Sequence, residues 1–321
     1  DSLLFGTEKD GDAIEVWHAG TGAAYAPRPI LGGVPDGSAP GELNRPNGVW
    51  VLYHVPYASG FTDVLLVTDQ QNLRVQAFRL PELEYFGEFG TGEVGKGYGI
   101  ASYQDGTDFF VFITDNIPPA AWPGKIKKYR LRPEGAFLGA DLVFGVGSTS
   151  GNPPLPNVES IVADYPLNRL HVCGDEGGKL NRIFRLDGSY TGTAYGDPQF
   201  EFDQEGINLY DMGGERGYLL VSDQHTDGTP NEFELFDRST LAPLGNFRSA
   251  PGPIVTTNTD GAYLEQRPLP GFPNGALYAV NDDQNAHAYD WTAIAEAMDL
   301  EIVALDRPFP GAAPGRNPGA P

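Results

Sequence analysis

The chain has 321 residues, 42 of them glycine and 28 proline, and a formal net charge of −22 at pH 7. This composition, with 40% hydrophobic residues, favours many short strands joined by tight turns and argues against a disordered chain. Such a negative charge excludes the basic surface that nucleic acids and anionic membranes require. The lone Cys173 excludes a disulfide framework and a thiolate metal site.

A three-strand unit recurs along the chain at intervals of roughly 50 residues, a period typical of propeller blades. Its first strand opens with a polar residue, usually before glycine, and the five copies begin at Asn47, Tyr98, Glu159, Glu205 and Asp260. Its second strand is an apolar run before an acid, and the six copies reach Glu8, Asp69, Asp115, Asp175, Asp223 and Asp282. Its third strand alternates apolar and polar residues, and the six copies begin at Ile14, Val75, Ile126, Ile183, Phe233 and His287.

The repeat predicts an all-β fold, a six-bladed β-propeller that forms one domain over residues 1–305. Apolar runs indicate second strands buried on both faces, and alternation indicates half-exposed third strands. Only five first strands occur, so we expect the first strand of the first blade to lie upstream of Asp1. One short C-terminal helix is predicted over residues 291–298 with Thr292 as its N-cap, followed by a Pro/Gly-rich tail over 306–321.

Carboxylates are expected to gather at one end of the blades. Because consecutive strands are antiparallel, the start of each first strand and the end of each second strand lie at the same end. First strands lie nearest the propeller axis, so Glu159, Glu205 and Asp260 are predicted to surround a hard cation with oxygen ligands. Calcium is favoured over zinc because the five histidines have no paired ligand spacing. A single second-strand acid is expected instead to accept hydrogen bonds from backbone amides of the turn that follows the strand.

Several stretches of the chain resemble the β-propeller phytases, calcium-dependent six-bladed enzymes that remove phosphate from inositol hexakisphosphate. The likeness is spread over most of the chain. Its clearest parts are residues 4–11, 159–164, 168–170, 205–210, 217–224, 259–261 and 274–282. The resemblance implies a calcium-dependent phosphomonoester hydrolase, and we expect a monomer that is secreted or periplasmic.

The resemblance also implies roles for individual residues. Lys9 matches a phosphate-binding lysine of that family, and Tyr98 matches an active-site tyrosine. Glu159, Glu205 and Asp260 match acids of that family that hold calcium or activate water. A further acidic ligand of the family matches either Asp175 or Glu176, because the alignment there is ambiguous by one residue. Asp282 and Asn285 resemble a structural calcium site.

Two departures from the family pattern leave alternatives open. Gln70 and Gln71 stand where the family has an arginine, and Asp115 and Asn116 stand where it has a second phosphate-binding lysine. Glutamine does not replace the bidentate grip of arginine on phosphate. One alternative is a calcium-binding propeller lactonase or esterase, which the stretch 44–49 would also suit. The other is a non-catalytic, phytase-like binding propeller that retains structural calcium only.

Overall fold

The computed structural model describes residues 2–57, 60–175, 179–248 and 255–303. These residues form six antiparallel sheets in chain order, each a blade, and so confirm the predicted six-bladed β-propeller with one short C-terminal helix. They divide into two compact units, one up to Val158 and one from Glu159 onward. The single domain predicted over 1–305 stays a prediction, and the tail 306–321 lies outside the described residues. No helix in the described part of the chain is both long and apolar enough to cross a membrane.

The first unit holds blades 1 to 3. Blade 1 consists of β1 (Leu3–Glu8), β2 (Ala13–His18) and β3 (Ile30–Gly32). Blade 2 consists of β4 (Pro46–Tyr57), β5 (Gly60–Asp69), β6 (Arg74–Leu80) and β7 (Glu84–Phe89). Blade 3 consists of β8 (Gly97–Asp105), β9 (Asp108–Asp115), β10 (Ile126–Glu134) and β11 (Phe137–Val146).

The second unit holds blades 4 to 6. Blade 4 consists of β12 (Asn157–Asp164), β13 (Arg169–Asp175), β14 (Asn181–Phe184) and β15 (Tyr190–Tyr195). Blade 5 consists of β16 (Asp203–Asp211), β17 (Gly217–Gln224), β18 (Glu232–Asp237) and β19 (Pro243–Phe247). Blade 6 consists of β20 (Ala262–Glu265), β21 (Ala276–Asn281) and β22 (Asn285–Asp290), and α1 (Trp291–Met298) follows it.

The second strand β5 is a continuous apolar run because both of its faces are covered by neighbouring blades. In β5, Leu65 and Val67 pack in the cluster shared with blade 1, whereas Val64 and Leu66 pack in the cluster shared with blade 3. All four side chains are fully buried. Burial of each such side chain contributes roughly 1.5–3 kcal/mol, so the alternating faces of β5 help to hold blades 1 to 3 together.

Three details differ from the sequence prediction. Four blades have a fourth strand after the third, and blade 1 ends in the equivalent β3; these outer strands are short or exposed, which weakens their pattern. The third strands β6 and β18 are buried on both faces, so their predicted half-exposure is wrong. The helix bounds are confirmed, but its N-cap is Asp290, whose Oδ1 accepts a hydrogen bond from the Thr292 amide.

Candidate functional site

A hydroxyl near the end of three second strands fixes the start of the first strand in the same blade. Each acceptor belongs to a Ser/Thr-Asp pair, and each donor is a glycine amide within a break of the strand register. The amides of Gly48, Gly99 and Gly206 donate to Thr68 Oγ1, Thr114 Oγ1 and Ser222 Oγ over 2.7, 2.8 and 2.7 Å. A Cβ at Gly48 would lie 2.0 Å from the Tyr98 carbonyl oxygen, so close approach of adjacent first strands requires glycine there.

The aspartate after each of these hydroxyls binds backbone amides of the loop that precedes the first strand. Asp69 accepts from the Asn44 amide over 2.8 Å, and Asp115 accepts from the amides of Gly95 and Lys96. Asp223 accepts from the amides of Glu201 and Phe202, each over 2.8 Å. All three aspartates are fully buried. These three acids therefore do bind backbone amides as predicted, but chiefly those of the loop before the first strand; of the following turn, the Ile117 amide donates to Asp115 over 3.2 Å.

The sixth blade breaks the predicted rule of one acid per blade. Ala279 pairs with Ala262 as Val67 pairs with Val49, and this register makes Asn281 the equivalent of Asp69. Asn281 Oδ1 accepts from the Thr257 amide over 3.0 Å, which is the capping bond of the other blades. The prediction that Asp282 is the acid at the end of the second strand in blade 6 is wrong. The spacing of residues in the sequence does not show where the pairing between two strands ends.

Asp282 and Asn285, the predicted structural calcium site, lie in and just after the turn that joins β21 to β22. Asp282 has a left-handed backbone, with φ 48°, and its carboxylate accepts from Asn258 Nδ2 over 3.2 Å and from Gln284 Nε2 over 3.0 Å. Asn285 Oδ1 accepts from Asn281 Nδ2 over 3.4 Å. These side chains are tied to neighbouring amides, and the structural calcium site stays a prediction.

Glu159 and Glu205 are each the third residue of consecutive first strands, β12 and β16, and Asp260 lies two residues before the next first strand, β20. The residues that follow them meet closely: the Ile207 amide donates to Ser160 Oγ over 3.2 Å. A Cβ added to Gly206 would lie 2.8 Å from the Ala262 nitrogen. The three acids therefore form a row at one end of this unit, and each is half-buried.

Two residues, Gln224 and Cys173, interact with acids of this row. Gln224 Nε2 donates to Asp260 Oδ1 over 2.7 Å, and Gln224 is itself nearly buried, so it orients that carboxylate. Burial, and secondly the charge of Glu205, raise the pKa of the Cys173 thiol well above its ordinary value. Cys173 therefore stays a neutral thiol beside the carboxylates, which leaves oxygen atoms as the charged ligands of this row.

Oxygen donors of this kind suit a hard cation such as calcium, which takes six to eight oxygen ligands including water. Across the part of the chain that the structure describes, no three His, Cys, Asp or Glu side chains are grouped so that they could hold a metal ion. Asp175 ends β13, but its side chain and the whole of Glu176 lie outside the described part. The oxygen donors of the row suit calcium chemically, but in the described structure Glu159, Glu205 and Asp260 are not grouped closely enough to bind one ion together, and the calcium site stays a prediction.

The predicted phosphate contacts, Lys9 and Tyr98, belong to the first unit. Lys9 lies half-buried in the turn between β1 and β2, and the next residue, Asp10, forms a 2.9 Å ion pair with Arg45. Tyr98 lies in β8, and its ring centroid is 5.1 Å from Lys96 Nζ. Sequence reasoning missed Lys96 and Arg45, although the two-residue spacing of Lys96 from Tyr98 was a usable signal.

The two departures from the phytase pattern have structural roles here. Gln70 is nearly buried, and its Nε2 lies 3.5 Å from the Gly97 carbonyl oxygen. Asp115 caps the loop before β8 and lies 3.5 Å from Lys127 Nζ, with both side chains fully buried. Asn116 Oδ1 accepts from the Val158 amide over 2.6 Å. None of these residues presents a cationic group.

Comparisons with known proteins support the fold and go no further. No model of a known protein family matches the chain, and no curated protein matches it. A hydrazine synthase of Kuenenia stuttgartiensis is similar in structure, with a TM-score of 0.54 and 11% identity over 93% of this chain and 76% of that one. BBS1N, in a crystal structure of its complex with ARL6DN soaked with lead, has a TM-score of 0.51 and 11% identity over 89% of this chain and 78% of its own. At such low identity the likeness shows the β-propeller fold alone.

Proposed function

We propose that the chain is a calcium-dependent phosphomonoester hydrolase of phytase type. The observation that carries this proposal is the row of Glu159, Glu205 and Asp260, each within two residues of the start of one of three consecutive first strands. Acids on neighbouring first strands repel one another, and a divalent cation drawn among them would relieve that repulsion. The motifs shared with the β-propeller phytases add the substrate class, an inositol phosphate or a related phosphate ester.

Each residue has a distinct part in the proposed chemistry. Bound calcium would supply positive charge that offsets the repulsion between the acidic row and a phosphate ester. Glu205 would accept the proton of the water that attacks phosphorus, and Asp260, oriented by Gln224, would keep a fixed position in the row. The resemblance to the phytases alone assigns a phosphate contact to Lys9 and a substrate contact to Tyr98.

The test is hydrolysis of phytate by the purified protein, with calcium present and then removed by a chelator. We expect phosphate release that stops on chelation, and a Glu205→Gln variant whose kcat is lower by about 10²- to 10⁴-fold, the usual effect of losing a general base. Glu215→Gln is the matched control, because Glu215 is an exposed acid of the same unit. A Glu205→Gln variant as active as the control, or release that continues after chelation, would overturn the proposal.

A second candidate function is calcium-dependent binding without catalysis. The buried, structural roles of Gln70 and Asp115 favour it, because the family's cationic phosphate contacts are replaced at these positions. In that case calcium would raise the melting temperature, whereas phosphate and phytate would leave it unchanged and no phosphate would be released. Stabilisation by phytate in the presence of calcium would argue for the hydrolase instead.

A further inference from the structure

Buried second-strand aspartates in the first unit are neutralised by basic residues of the third strand. Asp69 Oδ2 lies 2.8 Å from Arg74 Nε, and the two side chains are 0% and 8% exposed. Asp115 lies 3.5 Å from Lys127 Nζ, and both side chains are 0% exposed. Each aspartate that caps a loop in blades 2 and 3 therefore has a cation supplied by its own blade.

Blade 5 carries acids where blades 2 and 3 carry these bases. Glu232 pairs with Asp223 across β17 and β18, as Arg74 pairs with Asp69. Glu234 pairs with the residue two before Asp223, and Lys127 pairs with the residue two before Asp115. The aspartate and its capping bonds are retained, but the neutralising cation is replaced by two further carboxylates.

The carboxylates of blade 5 are compensated only in part. Glu234 is 2% exposed, and its Oε1 accepts from Asn246 Nδ2 over 2.8 Å. Glu232 lies 3.3 Å from Arg248, whose side chain is 58% exposed. Burial raises the pKa values of Asp223 and Glu234, the response of a carboxylate that lacks a close cation. Within the described residues, the one ion-pair partner of Asp223 is His225.

Buried polar atoms without a hydrogen-bond partner surround Asp223. His225 is 5% exposed, its Nδ1 bonds Thr229 Oγ1 over 2.8 Å, and its Nε2 lies 3.8 Å from Asp223 Oδ2. Asn231 donates from Nδ2 to the Asp223 carbonyl over 3.2 Å. In the described structure His225 Nε2, Asn231 Oδ1 and both side-chain polar atoms of Gln204, the strand neighbour of Asp223, make no hydrogen bond. Orphan groups of this kind are costly unless a water or an ion satisfies them.

We propose that blade 5 binds a divalent first-row transition-metal cation such as Mn²⁺ between Asp223 and His225, with amide oxygens of Gln204 and Asn231 as further ligands. The 3.8 Å between His225 Nε2 and Asp223 Oδ2 allows one ion to lie about 2.2 Å from each atom. Only two of these ligands are His or Asp, in keeping with the absence of a described three-residue group of that kind. An imidazole nitrogen among oxygen donors favours Mn²⁺ or Zn²⁺ over Ca²⁺. Glu232 and Glu234 supply the negative field that attracts the ion.

The experiment measures Mn²⁺ bound to the whole chain by electron paramagnetic resonance, with excess Ca²⁺ present to occupy oxygen-only sites. We expect one Mn²⁺ whose spin echo shows coupling to an imidazole nitrogen. His225→Gln should remove that coupling and weaken binding by about 10- to 100-fold. Glu234→Lys, which places the base of blade 3 at the same position of blade 5, should abolish binding while the apo protein stays folded.

Glu15→Lys is the matched control, because Glu15 pairs with Gly6 in blade 1 as Glu234 pairs with Val221 in blade 5. It makes the same change in charge without touching the proposed site, so Mn²⁺ binding should be retained. The proposal is overturned if wild-type protein binds no Mn²⁺ under excess Ca²⁺, if the nitrogen coupling persists in His225→Gln, or if Glu234→Lys and Glu15→Lys bind equally.

Discussion

Blades 2 and 5 use the same backbone device and differ in how they balance its charge. In both, a hydroxyl and an aspartate at the end of the second strand cap the entry to the first strand. In blade 2 the next strand supplies Arg74 to the buried Asp69, whereas in blade 5 it supplies Glu232 opposite Asp223. The capping bonds depend on the second strand alone. The third strand can therefore supply a base that neutralises the buried aspartate, or supply none, in which case a bound cation could neutralise it.

Removing the base of the buried Arg74–Asp69 ion pair should have the largest effect on stability. Arg74→Met leaves Asp69 buried without its cation, and also removes the 2.8 Å contact of Arg74 with Glu88. Loss of one partner of a buried ion pair costs about 3–5 kcal/mol, because the remaining charge stays desolvated. We expect that decrease in the free energy of unfolding, measured by urea titration.

The control for Arg74→Met is Arg130→Met in blade 3. Arg130 forms a 2.8 Å ion pair with Asp108, but the side chains are 55% and 39% exposed. Exposed pairs contribute about 0–1 kcal/mol. If both variants lose the same stability, burial is not what makes the blade 2 pair strong.

His171 in blade 4 is the opposite case, a buried base that is kept neutral. Burial lowers its pKa from 6.5 to about 4; Asp164 opposes this shift, and Arg169 and Arg238 add to it. In the unfolded chain His171 is protonated below pH 6.5, whereas in the folded chain its lowered pKa keeps it neutral down to about pH 4. Stability should therefore fall as the pH drops from 6.5 to 4, by about 3 kcal/mol in all.

The variant that checks this is His171→Leu, which packs in the same strand without a titrating group. Urea unfolding between pH 7 and pH 4 should show a shallower loss of stability in the variant than in the wild type. Equal pH dependence in the two proteins would show that His171 is not the group responsible.

The smallest effect is expected from the capping hydroxyls that both blades share. Thr68→Val and Ser222→Ala each remove the acceptor for a glycine amide. An unsatisfied buried amide costs about 1–3 kcal/mol, so both variants should lose stability in that range, and Thr68→Val more than Ser222→Ala because Thr68 Oγ1 also donates to the Tyr98 carbonyl over 3.0 Å. Thr193→Val, at an exposed position of β15, should be close to neutral in the same unfolding experiment. If either capping variant is as stable as the wild type, the hydroxyl of that blade does not stabilise the start of its first strand.

The fold was predictable because its information is local. Apolar runs such as Leu65–Val67 mark strands that are covered on both faces, and the helix that begins at Trp291 has bounds that match its pattern. The outer strands were not predicted, because exposed stretches such as Pro243–Phe247 have no apolar periodicity. The capping residue of blade 6 was predicted one residue too late, at Asp282 instead of Asn281, since strand register depends on hydrogen bonds that a sequence does not display.

The candidate site was predictable only where it follows strand order. The row of Glu159, Glu205 and Asp260 follows from the repeat, because each acid lies within two residues of the start of a first strand. The charge balance around Asp223 did not follow, since Glu234 reads in the sequence as one polar residue of an alternating strand. Its meaning depends on which residues face it across β17 and β18, and that is a property of the folded register.

The most direct test is a crystal structure of the protein grown with Mn²⁺, with anomalous differences recorded at the manganese edge. We expect a peak between Asp223 and His225 and none beside Asp69 or Asp115, because a basic side chain already neutralises each of the latter two aspartates. The first-unit aspartates serve as internal controls, because Arg74 and Lys127 already occupy the place of a cation. No peak at Asp223, or equal peaks at all three aspartates, would contradict the account.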